Sequence, residues 1–176
     1  MQHASLTRLL IVAFAGLFVT SLASAQTYQL DANLDPFQEV PPHNTPGYGS
    51  ADFTLDTVAA TLTVNANTGS YSDLLAGAST VRLQDAAVGA NGPTIGTFNL
   101  DTPGNTSGTF SNSVGSLTAG QIADILAGNT YINITDSVFP SGEIRGQILL
   151  VPEPSSIAAL AGLGWLTLRR RAGRCT

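Results

Sequence analysis

The chain has 176 residues, enough for one domain with short ends. Only 11% are charged, and every basic residue is an arginine, so the usual share of roughly 25% is missing. All 12 acids lie between Asp31 and Glu153, where only Arg82 and Arg145 offset them; a net charge of −10 there excludes the basic surface that a nucleic-acid partner needs.

Residues 1–25 read as a secretory signal peptide, a predicted signal helix. Arg8 supplies the positive start, Leu9 to Val19 the apolar run, and Ala23 and Ala25 the A-x-A cleavage site before Gln26. Tyr28–Leu34 alternates apolar and polar residues as a strand does. Phe37-Gln38-Glu39-Val40-Pro41-Pro42 follows, and its prolines end sheet pairing. His43 sits in a Pro/Asn/Gly loop and is expected to be solvated. Gly49–Leu55 and Ala60–Ala66 read as strands around an Asp56-Thr57 turn. Tyr71–Ala76 reads as a turn of helix or a crossover. Strands are expected over Ser79–Gln84, Thr94–Leu100 and Thr106–Val114. The Asp101–Asn105 stretch between the last two reads as a plain Pro-Gly turn rather than a calcium loop.

Leu117–Leu150 is the most patterned stretch. Thr118 and Gln121 have capping-box spacing, with Leu117 and Ile122 placed to staple the helix start. Ile122, Ile125 and Leu126 form its apolar stripe, and Gly128 supplies a left-handed stop. Tyr131–Thr135 and Glu143–Leu150 read as a closing hairpin across Pro140-Ser141-Gly142. Ile144, Ile148 and Leu150 are expected on its apolar side. These short strands predict an all-β, antiparallel sandwich or barrel of about eight strands with one short helix. A Greek-key-like crossing is the expected arrangement. Beyond it, Ile157–Leu168 is an apolar, predicted helical run before Arg169-Arg170-Arg171. Twelve helical residues span roughly 18 Å, too little for a hydrocarbon core of roughly 30 Å.

YINITDSVFPSGEIRGQI, preceded by LTAGQIADILAGNTY, resembles the CHRD domain, named for chordin and common in bacterial secreted proteins. FQEVPP at Phe37–Pro42 is a second match, and together they bracket most of residues 26–151. Val151-Pro152-Glu153-Pro154 with the apolar run and arginines looks like a PEP-CTERM sorting tail over residues 152–176. That resemblance implies an exosortase-type processing enzyme as partner and transient membrane association through the tail. It also implies display or release at the surface of a Gram-negative bacterium, after export through the inner membrane. Exopolysaccharide or surface proteins are the further partners to expect.

CHRD domains often carry a His-x-His pair in a middle strand and a third histidine later, similar to the metal strands of copper–zinc superoxide dismutase. Here Arg82, Gln84 and Thr135 stand at those positions. A transition metal needs His or Cys ligands; outside the predicted signal peptide and tail only His43 remains, so no metal or other cofactor is expected. Serine chemistry lacks a positioned base, since the chain has no lysine. Glu39 and Glu143 are the glutamates before the tail. Arg145 beside Glu143 would hold it ionised, against a glycosidase role, so no catalytic residues are assigned. Glu39, Glu143 and Arg145 are instead candidates for a structural ion-pair network. The expected function is that of an exported, non-enzymatic surface or matrix protein, structural or adhesive. The alternative is a protein- or polysaccharide-binding module. Less favoured is a metal-binding domain that has lost its histidines.

Overall fold

Alternating side chains assemble into eleven strands, with one α-helix and a short 3-10 turn at Pro36–Gln38, in the computed structural model, which describes residues 26–152. The strands are β1 Thr27–Leu34, β2 Tyr48–Asp56, β3 Thr61–Val64, β4 Ser70–Ser72, β5 Thr80–Asp85, β6 Thr94–Leu100, β7 Gly108–Ser111, β8 Ser113–Val114, β9 Thr130–Thr135, β10 Ile144–Gln147 and β11 Leu149–Leu150; α1 is Ala119–Leu126. Every strand pair is antiparallel. The predicted signal helix with Ala23 and Ala25, the C-terminal apolar helix, and Glu153 and Pro154 of the sorting motif lie outside the described residues. Val151 and Pro152 are exposed at the edge of what is described, and the Val151 amide donates to the Gln29 carbonyl at 3.0 Å.

Eleven strands replace the expected eight because several are very short. The expected Thr106–Val114 strand breaks at Asn112, whose φ of 92° no continuous strand tolerates. Tyr71–Ala76 begins as β4, with Tyr71 buried between sheet neighbours, and is not a helical turn. Leu150 pairs with Leu30 yet remains 42% exposed, so it does not join Ile144 and Ile148 in the core.

The hydrogen-bonded order is β10-β9-β5-β6-β7-β4-β2-β1-β11, with β3 paired to β2 and β8 to β3. The result is sandwich-like. One layer is β10-β9-β5-β6, and the remaining strands form the other. At one side the β6–β7 pairing, Asn99 opposite Ser111 and Leu100 opposite Phe110, joins them. At the other, a backbone bridge between Asp35 and Arg145 ties the end of β1 to β10. Between the layers lie Leu30, Phe53, Leu55, Leu62, Val81, Leu83, Ile132, Ile134 and Ile144, each at most 1% exposed. Phe53, Phe98 and Phe110 pack in tilted pairs with ring centroids 5.9 and 6.3 Å apart, a geometry favoured by the ring quadrupoles.

The helix start follows the capping-box spacing. Thr118 Oγ1 accepts from the Gln121 amide at 3.2 Å, and Gln121 Oε1 accepts from the Thr118 amide at 2.8 Å. Gly128 follows the helix at φ 74°, a conformation that costs glycine little.

Candidate functional site

β9 is buried at all six positions, although only half of them face the apolar core. Register explains the rest. Arg82 of β5, Asn133 of β9 and Arg145 of β10 form one row, and Gln84, Tyr131 and Gln147 form the next. These rows lie on the outer face of the layer. Alternation alone would leave that face to water. Instead, the chain around Pro36–Thr45 and the loop Ala86–Gly92 lie over it.

Arg145 holds the cover in place. Its guanidinium carbon sits 3.4 Å from the Tyr131 ring centroid, Nη1 donates to the Ala90 carbonyl at 2.8 Å, and Nη2 donates to Ala87 at 3.2 Å and to Gln147 Oε1 at 3.3 Å. Five rigid donors and a planar face suit arginine to this double role. Gln147 extends the clamp: Nε2 donates to the Ala86 and Gly128 carbonyls at 3.1 and 2.7 Å, and its amide donates to Gln38 Oε1 at 3.1 Å. Asp35 accepts from the Phe37 and Gln38 amides at 2.8 and 3.1 Å, which fixes the start of the Phe37–Pro42 segment. Asn91 Nδ2 donates to the Val40 carbonyl at 2.8 Å and so joins the two covering loops.

The structure brings Glu39 close enough to Arg145 for the cation to oppose its protonation. Burial acts more strongly and raises the Glu39 carboxyl to a pKa of about 7. Glu143 is turned elsewhere. Both its carboxyl oxygens accept from the Leu75 amide at 3.0 Å, and Asp136 beside it accepts from the Ala76 amide at 3.0 Å. Burial first, then the hydrogen bond with Asp136, raise Glu143 to about 7 as well. The expectation that Arg145 keeps Glu143 ionised is therefore corrected. Proximity along the strand did not bring charge to charge, because the Glu143 side chain precedes β10 and packs under the Leu74–Ala76 loop. With 0% exposure, Glu143 has no access to a substrate in this conformation.

A cleft of about 220 Å³ opens between the cover and the strands, lined by Glu39, Arg82, Gln84, Tyr131, Asn133 and Ser141 among others. Glu39 Oε1, Gln84 Oε1 and Asn133 Oδ1 are all buried without a hydrogen-bond partner. Glu39 and Asn133 are 4% and 2% exposed. The opposite side of the Glu39–Val40 segment faces a second hollow of about 410 Å³, whose rim carries Phe37 and Val88, 67% and 77% exposed.

Two other sequence candidates resolve differently. His43 is half-buried and stacks on Phe139, ring centroids 4.4 Å apart, so it is not the free loop side chain expected. Asp101 accepts from Thr109 and Ser111 hydroxyls at 2.7 and 2.6 Å, and those bonds hold its carboxyl below the ordinary range. Its oxygens thus serve the β6–β7 turn. Of the three positions that the resemblance marks as frequent histidine positions, Arg82 and Gln84 line the cleft, while the Thr135 hydroxyl is 2.7 Å from that of Thr80. Asn133, Tyr131 and Gln147 were not singled out by sequence reasoning; their alternation with Ile132 and Ile134 or across Gly146 was the available signal.

A model of the CHRD domain matches residues 30–148. No curated protein and no solved structure matches the chain.

Proposed function

The chain belongs to the CHRD domain family, and from that premise we propose that it is an exported, non-enzymatic protein of the cell surface or extracellular matrix, with a structural or adhesive role. The observation that carries this reading is the buried polar layer of β5, β9 and β10. Its arginine and glutamine bond carbonyls of covering loops, so the polar groups are spent on fixing a surface rather than on a reacting centre. The two ends supply delivery: an A-x-A site at Ala23 and Ala25, and a PEP-CTERM signal starting at Val151, Pro152, Glu153 and Pro154. An exosortase-type enzyme is the processing partner, and the Greek-key arrangement of secreted sandwiches is the topology we assign.

A second reading, a module that binds protein or polysaccharide, is favoured by the exposed Phe37 and Val88 on one hollow, since exposed apolar groups around a concavity mark contact sites. Intact-mass measurement of the protein from its native cells, with and without exosortase, tests delivery. The expected species starts at Gln26 and ends near the Pro152-Glu153-Pro154 motif. A chain running from Met1 through Thr176 in wild-type cells would refute processing.

A further inference from the structure

The buried oxygens of the cleft are the feature that loop clamping leaves unexplained. A buried acceptor without a donor costs roughly 1–3 kcal/mol, and here three belong to residues that line one concavity. A Cβ on Gly142 would collide with both Asn133 Oδ1 and Glu39 Oε1. Gly142 also has φ 145°, which a side chain rarely adopts. Its missing side chain therefore lets those two oxygens come close to each other at the edge of the cleft. The Asn133 amide nitrogen is already committed to the Ser141 carbonyl at 3.0 Å, so its oxygen is the atom presented. Arg82 adds a cationic donor from the same row of the sheet as Asn133.

We propose that this cleft binds a neutral polyhydroxyl ligand, one saccharide unit, whose hydroxyls donate to Glu39 Oε1, Gln84 Oε1 and Asn133 Oδ1 and accept from Arg82. This assignment rests on the reading of the protein as a non-enzymatic surface module. The lining excludes the charged alternatives. A cationic ligand would face the Arg82 guanidinium. An anionic one would meet the Glu39 carboxyl and two amide oxygens that need donors. A hydroxyl offers one donor and two acceptor sites, which is the mixture the lining asks for. The volume of about 220 Å³ is below the roughly 300–1,000 Å³ of pockets for drug-sized ligands, so it takes a single ring at a time.

The test is titration of the purified full chain with neutral hexoses and their oligosaccharides, read through the side-chain amide NMR signals of Gln84 and Asn133. Hexuronate and glucosamine serve as charged probes. Neutral sugar is expected to move both signals and to outcompete either charged probe. Arg82→Ala and Gln84→Ala, both at half-buried positions, should weaken binding roughly 3- to 10-fold, the worth of one hydrogen bond, with unfolding midpoints near wild type. Response to oligosaccharide alone would place the unit within a polymer; response to both would admit free sugar. Signals that ignore every neutral sugar would overturn the assignment and leave the cleft to water. Equal or tighter binding of a charged probe would overturn it too, as would variants that bind like wild type. Cell fractionation separates this from delivery. A surface-located chain indifferent to sugar sinks the ligand alone, and a sugar-binding chain retained in the cytoplasm sinks export alone.

Discussion

The two faces of the β10-β9-β5-β6 layer are both buried around β9, yet they are built from opposite chemistry. The inner face offers Val81, Leu83, Ile132, Ile134 and Ile144 to the facing layer. Its cohesion is area removed from water, non-directional and tolerant of small shifts. The outer face offers Arg145, Gln147, Asn133 and Tyr131 to two loops. Hydrogen bonds there fix direction as well as contact, and each net bond adds only about 1 kcal/mol. The difference teaches a division of labour: the inner face holds the sandwich together, and the outer face decides where the loops lie.

Substitutions on the two faces should therefore differ in kind. Ile134→Ala on the inner face is expected to cost about 2–5 kcal/mol, read as a lower urea midpoint for the whole domain. Arg145→Met keeps bulk but removes the clamp. It should cost about 1–3 kcal/mol, less than Ile134→Ala, because Ala87 and Ala90 lie at the exposed surface where water can replace the guanidinium. A cost equal to that of Ile134→Ala would erase the proposed division.

Acid titration sharpens the same contrast, because the raised carboxyls Glu39 and Glu143 border the polar side. Their folded pKa values, about 7, exceed the ordinary glutamate value of 4.5, so the folded chain binds more protons between those values. Stability is then fullest below about 4.5 and falls as pH rises through about 7, by on the order of 3 kcal/mol per group. Thermal melts at pH 5 and pH 8 should show the higher midpoint at pH 5. Glu143→Gln should roughly halve the difference, since Glu39 keeps its own share, and a melt that rises toward pH 8 would contradict it. The smallest effect belongs to a site remote from both faces. Thr118→Ala removes one half of the capping box and should cost about 1 kcal/mol, detected by denaturant melt with no change in pH response.

Local patterns were legible in the sequence to different depths. Thr118 and Gln121 announce their reciprocal bonds because both partners are side chains at fixed spacing. The closing hairpin is legible because Ile132, Ile134 and Ile144 alternate strictly. Asn112 gave no warning that it would break a strand. β4 was obscured because three residues carry too little periodicity. The cleft was hidden for a physical reason: Arg145 bonds the carbonyls of Ala87 and Ala90 and Gln147 that of Ala86, and a backbone carbonyl leaves no trace in residue identity. Charge pairing suggested Glu143 for Arg145, whereas the shared row placed Asn133 and Arg82 beside it.

Amide hydrogen exchange on wild type and Arg145→Met tests the division of labour most directly. Faster exchange is expected at Ala90 and Gly92, whose amides donate to Ala87 and to the Tyr131 hydroxyl. The amides of β5 and β9 should slow or quicken only by the global stability change. Unchanged protection at Ala90 and Gly92, or loosening of β5 and β9 to the same extent as the loop, would contradict it.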